Sequence, residues 1–241
     1  MTSTIPSQLE SALGRSPFDR LSERGLQALR QGGQICRFAE GQALSSADVI
    51  GDRVLLLLEG EARLLGERDG RPFTLERLGP GAIVGLVSML RTEACEQVSA
   101  ATPLLALAIP DALMLELLTA EREAEFRGWA QRQLWTAELH ALLMRAEQAR
   151  AGGFDPLLWR QRLESLRPRC RAVAAEDLAA APAADGERLL LASANVAELP
   201  LGTSLASGAP LPQPRPPLPL RLVVLPAEAL EPAPSAADSA G

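Results

Sequence analysis

Lysine and tyrosine are missing from all 241 residues, histidine occurs once, and aromatic residues make up only 3% of the chain. So few aromatics exclude a base-stacking platform for single-stranded nucleic acid. All 24 basic residues are arginine, which reads as a compositional bias rather than a site; against 30 acidic residues they leave a net charge of −6. That balance excludes a broad basic face for a phosphate backbone, so no nucleic-acid partner is expected. His140 has no second histidine to share a metal or a proton with, and Cys36, Cys95 and Cys170 are scattered, odd in number and without CxxC spacing. A zinc site, a Ser-His-Asp triad and a Cys-His pair therefore lack support. The chain reads as a non-enzyme with no metal and no catalytic residue, its cysteines reduced in a cytoplasmic setting. The opening MTSTIPSQLE lacks a charged n-region followed by an apolar core, so no signal peptide is expected. The most apolar long window, Val98 to Leu118, is interrupted by Pro103, Pro110, Asp111 and Glu116. It predicts a strand, a proline break and a helix, with no membrane insertion.

What is present is punctuated by glycine. Leu13, Phe18, Leu21, Leu26 and Leu29 recur at helical spacing, with Ser22 as an N-cap and Gly32-Gly33 as the stop. Short apolar segments then alternate with Gly41, Gly51, Gly60, Gly66, Gly70, Gly79 and Gly81. This predicts an α+β protein: a β-roll, or jelly roll, of about eight strands between Ile35 and Ile109, flanked by helices. Val54 to Leu58 suits a strand buried on both faces, and Asp69-Gly70 marks a hairpin tip. After Pro110 the period turns helical: Asp111 to Leu118, then one long helix from about Glu121 to Arg150. Its near-heptad face of Phe126, Trp129, Gln133, Ala137 and Met144 predicts a homodimer seam.

Gly152-Gly153 marks a boundary. Asp155 to Arg171 predicts a short amphipathic helix stopped by Pro168, its five arginines on a solvated face. Beyond Ala172 the chain is rich in Ala and Pro, with strands expected at Glu187–Ala192 and Leu218–Leu225. The domain reading is 12–150, then a small helix-plus-strand extension with a Pro-rich linker over 151–226, then a disordered tail over 227–241.

The stretch Leu78 to Thr102, LGPGAIVGLVSMLRTEACEQVSAAT, joins a glycine turn to a short helix and a returning strand, an arrangement that can cradle an anion. With PFDRLSERGLQAL, ICRFAEGQAL, VLLLLEGEARLLG, TLERLGPGAIVGL, VSAATPLLALAIP and DALMLELL around it, the region from about Phe18 to Ala146 resembles the cyclic nucleotide-binding domain family. The resemblance makes the stretch at Gly85 the phosphate-binding cassette. In that family the cassette reads Gly-Glu, a few apolar residues, then Arg-Ala or Arg-Ser before a Val strand. The Glu takes the ribose 2′-hydroxyl and the Arg pairs with the cyclic phosphate. Here Leu86 stands at the Glu position, Ala94 at the Arg position and Cys95 at its small neighbour. Losing both contacts removes roughly 3–6 kcal/mol, so near-millimolar cyclic AMP or cyclic GMP binding is expected and no other cofactor. Gly85, Leu86, Val87, Ser88, Arg91, Ala94 and Cys95 are the ligand-binding candidates. A shifted loop could bring Arg91 to the phosphate, against repulsion from Glu93 and Glu96. The family's closing helix makes Trp129 and His140 lid candidates, and ordinary packing is the plainer reading of each.

SANVAELPLGTSL and LPLRLVVLP resemble the segment after a cyclic nucleotide-binding module in bacterial peptidase-type or toxin-secretion ABC exporters, which implies an exporter subunit as partner. The exporter's transmembrane helices, peptidase and Walker A motif are not in this sequence. The reading is a non-enzymatic regulatory module. The alternative is a transcription regulator of the catabolite-activator type, which needs a helix-turn-helix that residues 172–241 do not supply.

Overall fold

The computed structural model describes residues 4–15, 17–147, 154–175, 183–197, 199–206 and 210–231. By its contacts the chain divides into two compact units. The first holds Met1–Leu65, Glu76–Met89 and Glu93–Gln131, and the second holds Gly66–Leu75, Leu90–Thr92 and Arg132–Gly241.

In the first unit, α1 (Thr4–Leu13) and α2 (Glu23–Gly32) precede the strands. Ser22 caps α2 by accepting from Gly25 N at 3.1 Å, and Gly33 follows its end, both as the spacing predicts. Ser22 also donates its own N–H, at 2.8 Å, to Glu123, a carboxylate with no exposure. Eight strands follow, of which residues 66–75, the end of β4, the hairpin tip and most of β5, are counted in the second unit: β1 (Gln34–Phe38), β2 (Ala43–Ser45), β3 (Arg53–Glu59), β4 (Ala62–Arg68), β5 (Arg71–Leu78), β6 (Ile83–Val84), β7 (Gln97–Ala100) and β8 (Leu104–Pro110). They form two four-stranded sheets, ordered β1-β8-β3-β6 and β2-β7-β4-β5. This is the β-roll the glycine spacing predicts. The unbroken run of β3 is buried from Val54 to Leu58 because the strand lies inside its sheet, antiparallel to β8 on one side and β6 on the other. Each such leucine contributes about 1.5–3 kcal/mol by leaving water. The tip between β4 and β5 places Asp69 at φ 53° and Gly70 at φ 73°, the left-handed pair of a type I′ turn. The helix α3 (Leu86–Arg91) lies between β6 and β7, and α4 (Asp111–Thr119) and α5 (Ala124–Arg132) follow β8.

The second unit contains α6 (Thr136–Glu147) and α7 (Pro156–Leu166). Its sheet is built from β9 (Arg171–Ala174), β10 (Glu187–Leu191), β11 (Ser204–Leu205) and β12 (Arg221–Pro226), in the order β11-β10-β12-β9. β12 is buried along its whole length, and Val173, Leu189, Leu191, Leu220, Leu222 and Val224 make one core.

Two expectations are corrected here, the single long helix and the disorder from residue 227. The helix expected over Glu121–Arg150 is broken: α5 stops at Arg132 and α6 begins at Thr136. The carbonyl of Gln133, freed at the break, accepts from Arg221 Nη2 at 2.6 Å, and the same guanidinium grips the buried Glu138 carboxylate at 2.6 and 2.8 Å. The break falls within the near-heptad face, of which Phe126, Ala137 and Met144 are buried while Trp129 and Gln133 are half-buried. The helix that starts at the Asp155 cap ends at Leu166 and passes through a 3-10 turn over Arg167–Arg169 into β9, the stop that Pro168 predicts. The tail expected to be disordered from 227 starts with a 3-10 turn, Ala227–Leu230, with Ala229 buried; its residues 232–241 lie outside the described residues.

Candidate functional site

The cassette begins where β6 meets α3. Gly85 has φ 91°, and a Cβ there would sit 3.1 Å from the Arg53 carbonyl oxygen, so only glycine fits without strain. Leu86 and Val87 open α3 and are fully buried. The helix ends in a Schellman-type closure: Thr92 takes the left-handed conformation at φ 51°, and Glu93 N donates to Ser88 O at 3.2 Å. A β-branched residue at positive φ is costly, about 1–3 kcal/mol. The loop is therefore held in place by its bonds rather than by its local preference.

Those bonds centre on Ser88. Its backbone N–H donates to Glu96 Oε2 at 3.2 Å, its hydroxyl donates to the same oxygen at 3.0 Å, and the hydroxyl accepts from Cys95 N at 3.2 Å. Glu96 is only 4% exposed, and Ser45 Oγ donates to its carbonyl at 2.7 Å, anchoring the loop to β2. The chain's own carboxylate thus sits on the donors at Ser88. A second anion brought within about 4 Å of it would meet repulsion of about 4 kcal/mol at the effective dielectric of such sites.

The candidates fall into separate places. Ser88 and Cys95 come together with Glu96, Gly85 sits against the Arg53 carbonyl, Leu86 and Val87 are core, and Ala94 is half-buried with no polar side chain to offer. Arg91 belongs to the second unit. It is fully buried, and its Nε donates to Ala192 O at 3.0 Å while its own carbonyl accepts from Ala194 N at 2.8 Å. Its Nη1 and Nη2 have no hydrogen-bond partner among the described residues.

Trp129 stacks on Phe126, which stacks on Phe18, with ring centres 5.9 Å apart in each pair. That is packing within the first unit. His140, in the second unit, accepts from Trp159 Nε1 at its Nδ1 at 3.0 Å, and its ring meets Phe73 edge-on. Burial pushes its pKa down to about 4, so the imidazole is neutral, with its proton on Nε2. The three cysteines are free, and burial raises Cys170 to about 11, far from a reactive thiolate. The bonding of Glu96 to Ser88 is what sequence reasoning missed. Its signal is the Ser88-to-Glu96 spacing across a tight loop, which makes the acid an internal acceptor as well as the repulsive charge expected there.

The family model of the cyclic nucleotide-binding domain matches residues 35–121, from β1 through the cassette to just past α4. The fold is accordingly an α+β β-roll of the cyclic nucleotide-binding type, with flanking helices. Among solved structures, the chain is similar to a cyclic nucleotide-binding-like protein from Brucella abortus, at 19% identity over 45% of this chain and 94% of that one, with a TM-score of 0.40. It is also similar to the N-terminal domain of a transcriptional regulator from Streptomyces coelicolor, at 23% identity over 60% and 99%, with a TM-score of 0.42. A third similarity is to the catabolite activator protein of Thermus thermophilus, at 22% identity over 57% and 59%, with a TM-score of 0.40. No curated protein matches the chain. Among the described residues no helix is long and apolar enough to cross a membrane.

Proposed function

We propose that this chain is a non-enzymatic regulatory module of the cyclic nucleotide-binding type whose phosphate cradle is occupied by its own Glu96, and that it acts through protein contacts more than through cyclic nucleotide. The observation that carries this reading is the Glu96 carboxylate on the Ser88 N–H and hydroxyl. Leu86 and Ala94 point the same way, because neither replaces the ribose and phosphate contacts that the family resemblance implies. The sole histidine is neutral and already bonded to an indole, which leaves no general base of that type. An ABC-type secretion exporter is the proposed partner class, on the similarity carried by residues 193–205 and 218–226. The transcription-regulator reading is weaker. Among the described residues after Leu166 the chain forms strands and two 3-10 turns, whereas a helix-turn-helix needs closely spaced helices.

Calorimetry with cyclic AMP and cyclic GMP tests the proposal. The unmodified protein is expected to show dissociation constants near millimolar. Leu86→Glu with Ala94→Arg and Glu96→Gln is expected to tighten binding by about two decades, the value of one to two restored charge-assisted bonds. Micromolar binding by the unmodified protein, lost on Arg91→Ala, would overturn the proposal and make Arg91 the phosphate ligand.

A further inference from the structure

We propose that the second unit carries a binding pocket for a small organic anion with a planar apolar body, formed where the β4–β5 hairpin tip meets the start of α7. The pocket has a volume of about 430 Å³ and is lined by Arg68, Arg71, Pro72, Phe73, Phe154 and Pro156, with Asp69 at its edge. That volume lies within the range of small-molecule sites, roughly 300–1,000 Å³.

The lining supplies both halves of such a ligand's recognition. The apolar half is Phe73 and Phe154, whose ring centres are 5.2 Å apart and whose planes are tilted by 54°. These rings are backed by a second layer: Phe154 packs on Trp159 at 5.7 Å, Phe73 meets His140 edge-on, and Trp159 is pinned to His140 by its indole hydrogen bond. Gly66 permits this closeness, since a Cβ there would lie 2.8 Å from Phe73 Cζ and 3.0 Å from His140 Cε1. The two prolines add preset backbone angles, so little ordering is left for a ligand to impose.

The anionic half rests on Arg68. Its guanidinium lies over the Phe154 ring at 5.7 Å, and its Nε and Nη1 are buried without a hydrogen-bond partner among the described residues. The neighbouring Asp69 Oδ1 stands 3.6 Å from Nε, outside hydrogen-bonding distance, and its side chain is 83% exposed. A guanidinium cannot shed its proton to relieve this, so its unmet donors call for an acceptor. Arg71 brings a second cation to the same wall, and with Asp69 counted the pocket keeps a net positive charge. A carboxylate or phosphate can take the unmet donors while an attached ring lies against Phe73 and Phe154. The site shares no residue with the cassette and stands or falls separately from it.

The test uses the full chain and four probes followed by calorimetry and amide chemical shifts: phenyl phosphate, benzoate, inorganic phosphate and phenol. Saturable binding of phenyl phosphate or benzoate is expected, with shifts at 68–73 and 154–156; which of the two binds tells whether phosphate or carboxylate is preferred. Inorganic phosphate and phenol, each holding half of the ligand, are expected to bind about tenfold more weakly or worse. Arg68→Gln is expected to weaken the ring-bearing anion by about tenfold, as is Arg71→Gln or Phe154→Leu should Arg68→Gln fail to fold. No binding of either ring-bearing anion at millimolar concentration, phosphate binding as tightly as phenyl phosphate, or variants that bind like the unmodified chain would each overturn the proposal.

Discussion

A neutral histidine held between aromatic rings makes the second unit sensitive to mild acid. His140 titrates at 6.5 when unfolded and at about 4 when folded, because its site is desolvated. The hydrogen bond explains why the site tolerates so little charge: an imidazolium would carry a proton on Nδ1, facing the Trp159 N–H that Nδ1 now accepts. Since the unfolded chain binds the extra proton more readily, stability rises with pH. The contribution is complete above pH 6.5, declines as pH falls from there, and is exhausted below about pH 4. In full it is worth about 3 kcal/mol, and about 2 kcal/mol of it disappears between pH 7 and pH 5. The carboxylates with shifted values, Glu10, Asp52, Glu187 and Glu228, are held below their ordinary range by arginine partners and do not titrate within that interval. As His140 is the only histidine in the chain, its imidazole resonances can be titrated without assignment ambiguity. The companion assay is urea unfolding at pH 7, 6 and 5, alongside His140→Asn, whose Oδ1 keeps an acceptor for Trp159 without a proton to gain. The variant should start less stable and show a much flatter pH dependence. An imidazole titrating near 6.5 in the folded protein, or equal pH slopes for both chains, would refute the reasoning.

Two further outcomes follow from single contacts. Arg221→Ala should lower the urea unfolding free energy by about 3–5 kcal/mol, because it strands the buried Glu138 carboxylate and the Gln133 carbonyl; a loss under about 1 kcal/mol would show the pair to be solvated. Gly85→Ala should cost about 1–3 kcal/mol, since alanine must adopt φ 91° against the Arg53 carbonyl. Thermal unfolding unchanged from the parent would mean that the turn relaxes to negative φ.

The parts of this fold that were legible before any coordinates are the ones with short-range causes. Glycine spacing marked the strands of the roll, Ser22 and Gly33 bounded α2, and Asp69-Gly70 marked its hairpin, because each effect acts within a few residues. The apolar character of positions 86 and 94 was equally plain. Less legible was the C-terminal sheet: β10 and β12 stand out as apolar runs, whereas β9 and β11, of four and two residues, are too short to show a period.

Chain composition and local pattern by themselves determined the class of fold and the glycine turn at Gly85; that Leu86 and Ala94 stand at ligand positions is what the family resemblance implies. Only the tertiary structure decided where the charges went. The helix near residue 133 breaks because an arginine 88 residues away takes the freed carbonyl, and no local pattern announces that partner. Arg91 is drawn to Ala192, and Arg68 is brought over Phe154, which lies far along the chain. Glu96 closes onto Ser88 once the loop turns at Thr92. A buried charge is governed by the acceptors and donors within a few ångströms of it, and those neighbours are set by folding, not by order in the chain.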